Sequence, residues 1–174
     1  MASRNDPAQR SHPNAELSPE SEQLREAFAR YGRAMFFAQC VEKQVAILLA
    51  STFQPDFMAS TPDERDAYFD VEFRKTLGKL ILSLGSTVPV PSALEGRLRR
   101  AVVLRNWLAH EYFWDRSIEG MSFEGRAGMI DELDEAAEFL RSLDEELTGV
   151  SMAWLVRQGM SVELIDAEVA KVQA

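Results

Sequence analysis

The feature that most constrains this chain is the apolar spacing from Leu24 onward. Leu24, Phe28, Tyr31, Met35, Ala38, Val41, Val45, Leu48 and Leu49 recur at intervals of three and four residues, and the pattern continues to about Phe53. Only a long amphipathic helix puts these side chains on one face, and a helix of that length needs other helices to cover it. Ser18-Pro19 supplies its start, an N-cap serine followed by proline at the first helical position. Gly32 interrupts the helix at a cost of about 1 kcal/mol relative to alanine, either to admit a close neighbour or because it is tolerated.

The same period returns further on. Thr61-Pro62-Asp63-Glu64 reads as a capping box opening a second helix, whose apolar face includes Tyr68, Phe69, Val71, Phe73, Leu77, Leu80, Ile81 and Leu84, with a bend or break expected at Gly78. Ser86 to Pro91 reads as a loop, and Ser92-Ala93-Leu94-Glu95 as a second capping box opening a helix that runs to about Trp114. A further long helix carries Met129, Ile130, Leu133, Ala136, Ala137, Leu140, Leu143 and Leu147, with Gly149 as its expected C-cap. The expectation is an all-α protein, an antiparallel bundle of four to five helices over residues 18–149. Residues 1–17, polar with Pro7 and Pro13, read as a disordered tail, and residues 150–174 as an appendage of two short helices.

At 174 residues and 46% hydrophobic content the chain suits one domain with a real core. It has no apolar run near the length of a membrane span, and Met1 to Leu17 holds no apolar signal-like core, so a cytoplasmic protein is expected. Cys40 is the single cysteine, which excludes an internal disulfide and a cysteine zinc site; its helical apolar setting suits packing. The net charge of −9 argues against non-specific coating of nucleic acid. Charge is unevenly spread: Ser92 to Arg116 has five arginines against three acids, a net of +2, whereas Ser117 to Gly149 has ten acids against two arginines, a net of −8. The third long helix is thus a locally basic strip that would draw an anion, although such charge runs also arise as plain solvated faces.

Within that strip, Leu104-Arg105-Asn106-Trp107-Leu108-Ala109-His110-Glu111-Tyr112-Phe113 concentrates the chemistry. At about 100° per residue Asn106 and His110 stack on one helix face with Val103 and Phe113, and Arg105 is rotated one position away. Arginine offers a permanent planar cation to phosphate oxygens, and histidine titrates near neutrality. No metal-ligand set competes, because the other histidine, His12, lies in the tail and no paired carboxylates flank His110. The bland reading is that His110, beneath a tryptophan and a leucine, is a core or interface residue. Trp107, Phe113 and Trp114 can stack on bases, but aromatic residues at helical spacing also pack cores.

The spacing of Arg105, Asn106, His110 and Tyr112 resembles the motif of the HEPN superfamily, compact helical domains of which many are metal-independent ribonucleases. The resemblance is close over the motif and extends over residues 18–149 only as a pattern of helices. It implies a homodimer with the motif at a two-fold cleft, so that the second copy supplies the second histidine of an acid/base pair. It further implies Arg105, Asn106 and His110 as catalytic residues, Glu42 as the acidic residue of an earlier helix supporting Arg105, and no cofactor or metal. Glu42 equally reads as a surface residue paired with Lys43 or with nothing. In some HEPN toxins the tyrosine at the Tyr112 position is nucleotidylated by a partner antitoxin; Tyr112 otherwise reads as a packing residue. RNA as substrate, and an antitoxin or nucleotidyltransferase as partner, follow from the same resemblance. The other reading is a non-catalytic dimer that binds RNA or a protein.

Overall fold

The computed structural model describes residues 18–53, 59–87, 90–161 and 163. It comprises α1 (Pro19–Phe53), α2 (Pro62–Phe73), α3 (Leu77–Thr87), α4 (Ser92–His110), the single turn α5 (Tyr112–Asp115), a 3₁₀ turn (Glu119–Met121) and α6 (Phe123–Arg157). No strand occurs among the described residues. The expected tail at residues 1–17, with His12, and most of the expected final helix lie outside the described residues.

The two longest helices form the spine. Gln23 Nε2 donates to the Phe123 carbonyl, Arg30 and Arg33 share Asp134, and Gln44 Nε2 donates to Thr148 Oγ1, so α1 and α6 run parallel along their length. Between them lie Val41, Val45, Leu49, Leu133, Leu140, Leu143 and Leu147, all buried. Each buried leucine contributes about 2 kcal/mol of apolar transfer, which offsets the ordering of two such long helices. Helix α4 runs against α6, with Arg97 paired to Glu146 near one end and Tyr112, just beyond α4, bonded to Met129 near the other. Helices adjacent in sequence alternate in direction, as expected of the bundle. The two ends of the chain's helical run are nonetheless parallel, because α2 adds a return stroke that ends with Phe73 4.0 Å beneath the Lys43 ammonium.

The structure corrects three boundaries. The second helix is two: the break falls at residues 74–76, and Gly78 sits inside the first turn of α3, 3.8 Å from Val102 if given a Cβ. The apolar face read across both pieces belongs to the core only in α3, where Leu77, Leu80 and Leu84 are buried, whereas Val71 and Phe73 of α2 are exposed. Ser92 does not cap α4: Pro91 occupies the cap, its carbonyl accepting from Glu95 N at 3.0 Å, and Glu95 pairs with Arg99 instead. Proline with φ near −54° already has the geometry of a helix entrance. Gly149 does not end α6, which continues to Arg157, so the segment from Val150 to Arg157 is the end of a bundle helix and not a separate appendage. The chain turns after it at Gly159, whose φ of 91° only glycine adopts without strain, with Met160 N bonded to the Leu155 carbonyl.

One 18-residue window of α1 reaches a mean hydropathy of 1.2, and half of that window is buried in the bundle. A core helix accounts for both properties.

Candidate functional site

The motif helix ends earlier than its sequence pattern suggests. At Glu111 the backbone turns to φ −124°, ψ −21°, and α5 starts on a new axis. The Leu108 carbonyl, which would otherwise serve the next turn, accepts the Tyr31 hydroxyl at 3.1 Å. A side chain inserted at a ladder carbonyl is a recognised cause of such kinks. The break turns Tyr112 inward. Its ring is 1% exposed, stands edge-on to Trp107 at 4.9 Å, and its hydroxyl donates to the Met129 carbonyl at 3.2 Å. Burial, followed by the charge of Glu132, holds its hydroxyl well above the usual phenol range. Tyr112 is therefore a core residue here, and no face of its oxygen is offered for modification.

Because α4 stops at His110, that imidazole sits exposed at a helix end, one turn beyond the exposed Asn106. Val103, one turn before Asn106, is exposed on the same face. Phe113, expected on that face too, lies beyond the kink and packs against Tyr31 at 4.8 Å and Phe28 at 5.1 Å.

Arg105 points the other way, toward α1. Its Nη2 lies 3.4 Å from Glu42 Oε2, and its Nη1 donates to Asn106 Oδ1 at 3.2 Å. Glu42 is held from a second side, since its Oε2 accepts the Leu77 amide at 3.3 Å at the start of α3. A carboxylate at a helix N-terminus is favoured by the unpaired amides and the helix dipole there. Three helices thus meet at one ion pair, with Glu42 bridging α1 to α3 and to the motif helix α4. Glu42, Arg105 and Asn106 are brought together; His110 lies on the outer face one turn beyond Asn106, and among the described residues no hydrogen bond links it to them.

The basic strip is largely compensated. Arg97 pairs with Glu146, Arg99 with Glu95 at 2.7 Å, Arg105 with Glu42, and Arg116 with Glu132 through two bonds of 2.8 and 2.7 Å. Arg100 is exposed and lies 4.2 Å over the Phe139 ring. Three of these four carboxylates come from other helices, so the local excess of +2 read along the sequence does not survive folding.

Alongside α4, an open groove of about 460 Å³ runs between α3 and α4, lined by Ile81, Leu82, Leu98, Val102 and Val103 and rimmed by Glu95 and Arg99. Leu82 and Val103 are exposed at its edge. No group of three or more metal-ligating side chains occurs among the described residues. Cys40 is half-buried, its thiol pushed up by burial and then by Asp144, as suits a packing residue.

Sequence reasoning missed two residues that shape the site. Tyr31, seen only as a member of an apolar stripe, fixes the kink, and the Leu77 amide anchors Glu42. Neither contact has a local signal, because each joins residues far apart in the chain.

Fold and site together define an all-helical bundle with a buried-edge Glu-Arg pair beside an exposed Asn/His face. No family model, curated protein or solved structure matches this chain.

Proposed function

We propose that the chain is one subunit of a homodimeric, metal-independent endoribonuclease of HEPN type. The observation that carries this reading is the guanidinium of Arg105 held between Glu42 and Asn106 at the edge of the exposed face bearing His110. Phosphoryl chemistry on RNA needs at minimum a fixed cation and a group that moves a proton, and Arg105 and His110 lie five residues apart on one helix. In the proposed step, His110 of one copy takes the 2′-hydroxyl proton, the 2′-oxygen attacks the adjacent phosphorus, and His110 of the second copy protonates the departing 5′-oxygen. Arg105 neutralises the charge gained by the phosphoryl oxygens. The products are a 2′,3′-cyclic phosphate and a free 5′-hydroxyl.

The second copy is required because the chain holds one histidine outside the tail. Leu82 and Val103, exposed along the α3/α4 groove, offer apolar surface on which it can pack. A cytoplasmic toxin or stress nuclease, with an antitoxin or nucleotidyltransferase as partner, is the setting this reading implies. The burial of Tyr112 speaks for a partner that acts by binding rather than by nucleotidylating that residue.

Purified protein should cut single-stranded RNA in excess EDTA, and His110→Ala should lower the rate by about 10²-fold or more with helicity unchanged. Arg105→Ala should act similarly. Equal cleavage by wild type and His110→Ala, or a monomer at micromolar concentration by light scattering, would overturn the mechanism. A second reading, a non-catalytic dimer that binds a protein partner, is favoured by the compensation of Arg97, Arg99, Arg105 and Arg116, which leaves little free positive charge for RNA.

A further inference from the structure

The end of the bundle where α4 hands over to α6 exposes an unusual amount of apolar surface. Within one short stretch Trp114 is 80% exposed, Ile118 78%, Met121 79% and Phe123 61%. Phe28 of α1 and Phe113, also exposed, meet at a tilt with ring centroids 5.1 Å apart.

These side chains are not presented by a slack loop. Ser122 Oγ accepts the Gly125 amide at 3.0 Å as the cap of α6. Arg126, buried at the base, donates to Gln23 Oε1 at 2.8 Å and to the Gly120 carbonyl at 3.1 Å, and lies 3.4 Å from Glu20. A Cβ on Gly125 would fall 2.1 Å from the Glu119 carbonyl oxygen, so the 3₁₀ turn is pressed directly onto α6. Arg116 fastens the preceding turn to Glu132. A backbone held this firmly loses little freedom on binding, and preorganisation of that kind favours recognition over mere exposure.

The rim decides the occupant. From Glu111 to Arg126 there are four acids, Glu111, Asp115, Glu119 and Glu124, all exposed, against two arginines, a net of −2. Both arginines are engaged, Arg116 with Glu132 and Arg126 with its three partners. Both arginines of this segment are paired, and on the α1 side the exposed Glu20 and Glu22 outnumber the exposed Arg25, so the rim is anionic. A second copy would bring the same acidic rim, and an anionic membrane or nucleic acid would be repelled likewise.

We propose that this end is a docking surface for a protein partner segment that is apolar on one side and basic on the other. Trp114, Ile118 and Met121 anchor its apolar side, and Glu111, Glu119 and Glu124 meet its lysines or arginines. The proposal uses none of Arg105, Asn106 and His110, although Glu111 follows His110 directly, so it stands whether or not the chain cleaves RNA.

The test is binding of a labelled synthetic Lys/Leu peptide with leucine at helical spacing, read by fluorescence anisotropy with full-length protein. The expected result is saturable micromolar binding that weakens as salt rises. Trp114→Ser with Met121→Ser should weaken it by about tenfold or more. Glu119→Gln with Glu124→Gln should weaken it and flatten its salt dependence. Four outcomes would overturn the proposal: equal binding of a peptide of the same composition in scrambled order; equal binding of a Glu/Leu peptide of the same pattern; self-association of wild type that Trp114→Ser with Met121→Ser abolishes; or partition onto neutral phosphatidylcholine vesicles lost in that same variant. Binding unchanged in both double variants would equally sink it.

Discussion

Glu42→Gln, Arg105→Gln and the double variant form a thermodynamic cycle on the contact that ties the site to the fold. The two charges lie 3.4 Å apart, with the side chains 22% and 27% exposed. That places the pair between two regimes: exposed pairs couple by about 0.2–1 kcal/mol, and removing one partner of a fully buried pair costs about 3–5 kcal/mol. A coupling of about 1 kcal/mol is expected, lower if salt reaches the pair. Glutamine at position 42 keeps an acceptor for the Leu77 amide, so the start of α3 should hold and only the charge is lost. Each single change should lower the stability measured by urea denaturation by about 1–2 kcal/mol, or roughly 2–8 °C in Tm for a domain of this size. The double variant should be less destabilised than the sum of the singles. A coupling below about 0.3 kcal/mol, within the scatter of independent sites, would show that Glu42 does not hold Arg105. If the coupling is present, Glu42→Gln should also slow RNA cleavage, because Arg105 is then free to leave Asn106.

Gly125→Ala should destabilise the protein by about 1–3 kcal/mol, the usual cost of overpacking, because the clash is with the backbone of Glu119 and no side chain can yield. Unchanged thermal stability would mean the 3₁₀ turn is not seated on α6. Tyr112→Phe should cost about 1 kcal/mol, the net worth of one hydrogen bond, since the Met129 carbonyl lies inside α6 and keeps its helical partner, and amide exchange should rise around the α4/α5 kink; a neutral substitution would remove the hydrogen bond from the account. Asp144 carries a buried oxygen with no partner, and burial, then Glu145, raises its pKa above the ordinary carboxylate value. A raised folded-state pKa favours the fold at low pH, and that advantage is lost as pH rises through it. Asp144→Asn should therefore raise Tm at neutral pH, with the gain shrinking on acidification; a gain independent of pH would contradict this cause.

The helical class and most of the core were legible in the sequence. Met129, Leu133, Ala136, Ala137, Leu140, Leu143 and Leu147 were read at three-four spacing, and all are buried. Helix periodicity is a local property, so a one-dimensional reading recovers it. The capping box at Thr61 and Glu64 is equally local and is present, with Thr61 N bonded to Glu64 Oε2 at 2.8 Å. That Asn106 and His110 share a face follows from the same arithmetic, since both lie on one uninterrupted helix, whereas the exposure of that face was decided by the fold. Tertiary structure decided the rest. The end of α4 depends on Tyr31, a residue of α1, reaching the Leu108 carbonyl, and the burial of Tyr112 follows from that kink. The charge of the strip was decided by carboxylates of α1 and α6, which sequence counting assigned elsewhere. Hydrophobic spacing sets what each helix buries, whereas the direction of a side chain at a helix end and the net field over a surface are sums over neighbours that only the folded chain brings together.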